Sequence, residues 1–488
     1  MKRISIYISV FFLFSLLSCK DYLNEEPNNA SNSAEAIKTP ADAQVMINGM
    51  MRSMTDASYY GRNFLMYGDV KGGDLTVYAQ GRGLDAMYSF NHSVTTNAYG
   101  GFWSQIYASI LQANSILEGI ARVEQAGGAT GFDSYKGQAL TARAMMHFDL
   151  VRLYGKAYDD DKKSFGVPYV TTTLQFNAQP LRSTVEENYA QMLTDLKAAA
   201  PLLPKARTDG YINYYANLAL QARVYLYMKD YVNALNAAEE VINNSKSLYS
   251  LYTNSNWVAS WKTRFASESI LLLGVMPNEN DLLAGAPGMY LRRKGHGNSN
   301  ALGQFMASDY YLDRLKEDAT DVRCGILAAD ETSASRMGAV YKYSGSTTLQ
   351  GEDGKSSSST AVDIKVIRLS EVYLIAAEAA LPANRAKAAQ YLNEIRKRAP
   401  ALAPATESTV SLDMILAERS KELIAEGHRF FDMIRLNRDI TFNDEFGGLT
   451  IPSRPTTINR TFNKTRLPIP QDEINANPGL KAQQNEGY

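Results

Sequence analysis

Apolar residues recur at helical spacing along most of the chain, and the clearest run is 215–244. Leu218, Ala222 and Tyr225 fall on one face. Tyr231, Ala234, Ala238 and Val241 repeat that spacing after Lys229-Asp230 interrupts it. The pattern predicts two helices joined by a short turn. Small side chains at Ala222, Ala234 and Ala238 let the two axes approach, and larger ones fill the space around them. A second pair is predicted at 367–381 and 384–399, with Ala376, Ala388 and Leu392 in equivalent places. Further helices are expected at 102–125, 135–154, 184–200 and 412–438. Ser183 or Thr184 can cap the 184–200 helix, and Glu186-Glu187 suit the positive end of its dipole. Pro201 and Pro204 then stop it.

The spacing of Tyr225, Ala234 and Ala238 matches the register of a tetratricopeptide repeat, in which two antiparallel helices pack through small residues. The expected fold is therefore mainly α: tetratricopeptide-like helix pairs form a scaffold, mainly over 102–245 and 365–438. Between them the helical period is lost. Residues 59–99 and 245–361 are irregular and rich in Gly, Asn, Ser, Trp and Tyr, and 345–359 reads as a loop. Long irregular segments on a rigid scaffold are where ligands usually bind.

The first residues carry an address. Lys2-Arg3 precedes an apolar stretch, 4–17, which is shorter than the roughly 20 residues a membrane span needs. It has the shape of a secretory signal, so 1–18 is read as a signal peptide. Leu16-Leu17-Ser18-Cys19 resembles a bacterial lipobox, with Cys19 as the acylated anchor and 19–33 as lipidated N-terminus and tether. The body is then one domain over 34–488. Charged residues straight after the cysteine resemble the export signal of surface lipoproteins, which places the protein on the outer membrane, facing the exterior. With Cys19 acylated, Cys324 is the one remaining cysteine, so no internal disulfide can form.

Composition adds little direction except in one residue type. The chain is 45% hydrophobic and 21% charged, with 50 basic residues against 51 acidic ones. That balance gives no field to attract nucleic acid. The 30 tyrosines stand out, because tyrosine combines a flat apolar face with a polar tip and suits both helix packing and sugar stacking.

Catalytic and metal chemistry find no constellation. Glu418, Glu422 and Glu426 lie at i, i+4 and i+8, but one helix face cannot flank a glycosidic bond from both sides. Glu426–Arg429, Arg429–Asp432 and Asp432–Arg435 stand at i, i+3, which points to an ion-pair lattice. His92, His147, His296 and His428 form no zinc motif. Gly354-Lys355-Ser356 ends like a P-loop, but Leu349 replaces its first glycine. No Gly-x-Ser-x-Gly occurs. Neither a cofactor nor a metal is expected. The candidate ligand contacts are aromatic and polar: Tyr78, Arg82, Tyr88, Asn97 and Tyr99 in one loop region, and Tyr290 and Arg292 in another. Rings would stack on the tyrosines while Arg and Asn bond hydroxyls. Trp103 lies on an amphipathic helix and reads as core.

Several segments together resemble the SusD/RagB family. They are Arg368-Leu369-Ser370-Glu371-Val372-Tyr373-Leu374-Ile375, Glu426-Gly427-His428-Arg429-Phe430-Phe431-Asp432 and Leu467-Pro468-Ile469-Pro470-Gln471. Gly166-Val167-Pro168-Tyr169 and Arg182-Ser183-Thr184-Val185 fit as well. The resemblance implies a single helical domain that captures an oligosaccharide, without catalysis, and delivers it to a SusC-like TonB-dependent transporter. Peptide capture in the same fold, a tetratricopeptide-type assembly scaffold without small ligand, and a surface glycosidase are the alternatives.

Overall fold

Thr39-Pro40-Ala41-Asp42 starts the first helix of the structure, a computed structural model describing residues 36–81, 84–95, 101–276, 279, 285–295, 300–343, 363–446, 448 and 450–488. Thr39 accepts from the Asp42 amide at 3.3 Å, and the Asp42 carboxylate accepts from the Thr39 amide at 2.8 Å. This capping box satisfies two donors that a helix start would otherwise leave open. Helix α1 (Pro40–Met54) buries Ala43, Ile47, Met50, Met51 and Met54. It has no counterpart among the helices expected from periodicity.

The remaining elements in chain order are α2 (Asn63–Val70), β1 (Leu75–Val77), α3 (Asp85–Ser89), α4 (Gly101–Gln125), α5 (Asp133–Tyr154), α6 (Tyr158–Asp161), α7 (Val185–Ala199), α8 (Tyr214–Tyr227) and α9 (Tyr231–Asn244). They continue with β2 (Ser269–Leu273), α10 (Gly288–Leu291), β3 (Phe305–Ala307), α11 (Asp309–Lys316), β4 (Leu327–Ala328), β5 (Ala339–Val340), β6 (Ile364–Arg368), α12 (Leu369–Ala380), α13 (Arg385–Arg396), α14 (Leu412–Leu423), α15 (Arg429–Arg435), β7 (Ile440–Thr441), β8 (Thr457–Ile458) and α16 (Gln471–Ala476).

The long helices stack in a chain of neighbours: α1 on α4, α4 on α5, α5 on α7, α7 on α8, α8 on α9, α9 on α12 and α12 on α13. Ala222, Ala234, Ala238, Ala376 and Ala388 are all wholly buried at these contacts. The expected pairs α8/α9 and α12/α13 thus form as predicted, and Thr184 is the residue that caps α7, in a box with Glu187. One large apolar core runs through the helices, and a smaller one lies among α12, α13 and α14.

Two expectations need correction. The helix expected over 412–438 is broken. Ala425 and Gly427 take φ of 64° and 82°, so α14 and α15 are separate. Gly427 lies against α2, where a Cβ on Gly68 would sit 2.2 Å from the Gly427 carbonyl oxygen, and its amide donates to Asp69 Oδ2 at 2.6 Å. A continuous helix could not reach that acceptor. The regions read as irregular also carry short elements: α2, β1 and α3 within 59–99, and β2 to β5 with α10 and α11 within 245–361. Among the described residues the strands form antiparallel pairs, β1–β3, β2–β6, β4–β5 and β7–β8. β1 pairs with β3 in the register Leu75↔Ala307 to Val77↔Phe305. No helix among the described residues is long and apolar enough to cross a membrane.

Candidate ligand-binding face

The two loop regions predicted to carry ligand contacts meet at the β1–β3 ladder. The Tyr78 amide, just past β1, donates to the Gln304 carbonyl at 2.7 Å. The Gln304 amide donates in turn to the Tyr290 carbonyl at 3.0 Å, and Leu302 N to Met289 O at 2.7 Å. Residues more than 200 apart in sequence are therefore laced edge to edge. Gln304 Nε2 also donates to Asp85 at 2.6 Å, tying α3 to the same place. Tyr78 is half-buried, and it borders a depression of only about 10 Å³ with Arg293, Gly303 and Glu331. This face is shallow.

The other candidates divide. Tyr88 is buried: its hydroxyl donates to the Asn443 carbonyl at 2.8 Å, and its ring packs edge-on to Phe442 at 5.5 Å under the Arg454 guanidinium at 4.8 Å. Tyr290 is 8% exposed, with Arg62 Nη1 donating to its hydroxyl at 3.0 Å and the guanidinium 5.3 Å from the ring centre. Arg292 is wholly buried, and burial pushes its pKa down. These three side chains hold the face together from behind and offer a ligand no open surface, which corrects the expectation of stacking platforms there. Arg82, Asn97, Tyr99 and Cys19, the expected anchor, lie outside the described residues.

A larger surface feature was not anticipated. α4, the segment 168–180 and α16 enclose an apolar cleft of about 470 Å³. Trp103, Tyr107 and Leu111 line one wall, Leu174 and Phe176 the second, and Glu473 the third. Phe176 is fully exposed, and Leu174 and Leu111 are nearly half exposed. Trp103 is 3% exposed, so it belongs to the core as well as to the cleft floor. Burial pushes the Glu473 carboxyl up, partly offset by a hydrogen bond from Trp103. The three walls come from distant stretches, and only the apolar residues in the 168–180 loop hinted at them.

The acidic helix is wholly occupied in structure. Arg368 donates to Glu426 at 2.7 and 2.6 Å, to Glu268 at 2.7 Å and to Glu422 at 3.0 Å. Arg323 bonds Glu418 at 2.9 Å, Lys342 bonds Glu426 at 2.6 Å, and Trp257 Nε1 donates to Glu422 at 3.2 Å. Burial alone would raise the carboxyl of Glu422, but Arg368, Arg398 and Arg323 outweigh it and hold it at about 2. Glu418 and Glu422 are fully buried, so no substrate reaches them. The lattice is real, yet mostly long-range: Glu426 pairs with Arg368 and Lys342, and Arg429 with Asp74 at 3.4 Å. Of the expected local pairs Asp432–Arg435 forms, at 2.8 Å. Among the described residues no three His, Cys, Asp or Glu side chains are placed to hold a metal ion.

Comparison with known proteins agrees with this architecture. The SusD family model matches residues 307–488, and a model described as "Starch-binding associating with outer membrane" matches residues 21–226. A SusD superfamily protein from Bacteroides thetaiotaomicron VPI-5482 superposes with a TM-score of 0.82 at 32% identity, covering 92% of this chain and 99% of that one. Another from Bacteroides vulgatus ATCC 8482 gives 0.82 at 31% identity, covering 93% and 100%. The SusD-like protein P2 of Formosa agariphila is 26% identical over the whole of both chains. The chain belongs to the SusD family.

Proposed function

We propose that this protein is a cell-surface lipoprotein, anchored through Cys19, that captures an oligosaccharide and passes it to a SusC-like TonB-dependent transporter. The observation that carries the reading is the β1–β3 ladder. It gathers the half-buried Tyr78 and the 290 loop onto one shallow face, braced behind by Tyr88, Tyr290 and Arg292. A flat ring face beside Arg and Glu side chains suits a pyranose, which presents C–H on one side and hydroxyls at its edge. A shallow site also suits delivery, since a bound glycan must leave again. The matching model described as starch-binding and associating with the outer membrane supports both the ligand class and the location.

The test is to express the tagged full chain in its native membrane and isolate it. Recovery with a barrel protein, together with retention on immobilised glycan and no release of shorter sugars, is expected. Isolation without a barrel and with retention only by peptides would replace glycan delivery with peptide capture. Hydrolysis of the glycan would remove the non-catalytic reading.

A further inference from the structure

Strand β1 leaves from Asp74, and in front of that residue lies a pocket of about 190 Å³. Tyr310 and Arg314, one turn apart on α11, form one side. Arg429, the first residue of α15, forms the other, and Asp439 and Thr441 complete the rim. Two guanidiniums and two carboxylates, Asp74 and Asp439, line it, but they are unevenly paired. Arg314 Nη2 and Arg429 Nε both face a single carboxylate oxygen, Asp74 Oδ1, the latter at 3.4 Å. Asp74 Oδ2 is taken by the Ser420 hydroxyl at 2.7 Å, and Ser420 in turn accepts from Arg314 Nε at 3.0 Å. Arg429 Nε is buried without a hydrogen-bond acceptor, and Arg429 Nη1 has only a 3.4 Å contact with the Leu416 carbonyl. Asp439 is exposed, accepts from Asn459 at 2.9 Å, and pairs with neither guanidinium. Within the pocket two guanidiniums therefore pair with the one carboxylate of Asp74, while Asp432 and Asp69 act on Arg429 from a greater distance, and burial still holds the Arg429 pKa below its usual value. Such a site favours a further oxyanion, and guanidinium recognises carboxylate and sulfate with particular strength.

Beside these cations the Tyr310 side chain is 44% exposed. An exposed ring next to two arginines is what an acidic sugar would use, its ring on the aromatic and its charge on the guanidiniums. We propose that this pocket is a subsite for an anionic saccharide, a uronate or a sulfate ester. It rests on the oligosaccharide-binding reading and narrows the substrate class. Asp74 and Tyr78 lie at opposite ends of β1, four residues of extended chain or about 13 Å apart. One oligosaccharide could thus engage Tyr78 at one end and carry its charged residue to Arg314 and Arg429 at the other.

The test titrates the full chain with galacturonic acid, galactose 6-sulfate, methyl galactoside and inorganic sulfate. The two acidic sugars are expected to bind at least about tenfold more tightly than methyl galactoside, the order of one charge-assisted bond. Tyr310→Ala and Arg314→Gln should each weaken them about three- to tenfold. Arg314→Lys, which keeps the charge against Asp74, should recover part of the loss, and Asp439→Asn should tighten binding. Equal affinity for acidic and neutral sugars overturns the subsite. So does unchanged binding in both Tyr310→Ala and Arg314→Gln, or inorganic sulfate that matches the sugars and ignores Tyr310→Ala. Tyr78→Ala run in parallel separates the two claims. Neutral glycan binding lost in Tyr78→Ala, with no preference for acidic sugars, leaves the proposed function standing and removes this subsite. Binding of no saccharide at all removes both.

Discussion

Replacing Arg368 with leucine should be among the most costly single changes in the molecule. Its side chain is completely buried and donates to three carboxylates, Glu268, Glu422 and Glu426, as well as to the Glu422 carbonyl at 3.1 Å. Leucine fills part of the volume but supplies no charge. Glu268 keeps Arg398 at 2.6 Å, and Glu426 keeps Lys342 at 2.6 Å. Glu422 is left with Arg323 and Arg398 at 3.8 Å each and the Trp257 donor. Removing one partner from a buried ion network costs about 3–5 kcal/mol, because the remaining charge has lost its solvation and its counterion together. With a urea slope of about 3 kcal/mol/M, that is a midpoint about 1–1.7 M lower. Trp257 and Trp261 lie against the lattice, and Arg368 stands 5.1 Å from the Trp261 ring centre, so their fluorescence reports this region directly. Lys136→Ala is the control. Its pairs with Glu124 and Asp133 are at the surface and are worth about 0–1 kcal/mol. An Arg368→Leu midpoint within about 0.3 M of wild type, indistinguishable from Lys136→Ala, would refute the reasoning.

Other consequences follow from the same structure. Burial holds the pKa of His92 down to about 2, of His147 to about 3 and of His428 to about 4. His147 accepts from Val170 N at 3.1 Å and faces the Arg143 carbonyl at 2.9 Å through its other nitrogen, the arrangement of a neutral ring. Folded values below the ordinary 6.5 mean that stability is complete above about pH 6.5 and falls as acid protonates the unfolded chain. Each histidine contributes roughly 1.4 kcal/mol per pH unit down to its folded value. Urea midpoints that stay flat from pH 6.5 to 4.5 would contradict this. Glu422→Gln should lower the urea midpoint while leaving glycan affinity at the wild-type value, and a loss of binding with unchanged stability would return the acidic helix to the site. Cys19→Ala should yield unacylated protein that leaves the membrane fraction, and continued fatty-acid labelling of the variant would disprove the anchor.

The legible part of this fold is what repeats locally. Helices α4, α5, α7, α8, α9, α12 and α13 follow from period and caps, because a helix is decided by neighbours three and four residues away. The 412–438 helix misled for the same reason. Its apolar period runs on through Ile424 to Phe430, while the break is imposed by Asp69 and Gly68 on α2, some 358 positions away. Helix α1 was signalled by Thr39-Pro40-Ala41-Asp42, a capping box that period alone overlooks. At the site, composition located the two converging loops but could not assign their side chains. A tyrosine serves equally as platform or packing. What makes Tyr88 and Tyr290 packing residues is Asn443 and Arg62, which only the tertiary fold brings near. The pocket between Arg314 and Arg429 joins stretches separated by a hundred residues, so no spacing in the chain could disclose it.

The central claim is that the Tyr78 face binds sugar without cleaving it, and calorimetric titration of the full chain with neutral oligosaccharides tests it most directly. The account predicts a Kd between roughly micromolar and millimolar, about −8 to −4 kcal/mol. Tyr78→Ala should weaken it by about 1 kcal/mol, near fivefold, and the sugars should be recovered at their original length. Saccharide binding that Tyr78→Ala leaves untouched, binding of peptides alone, or shortened sugars in the cell would contradict it.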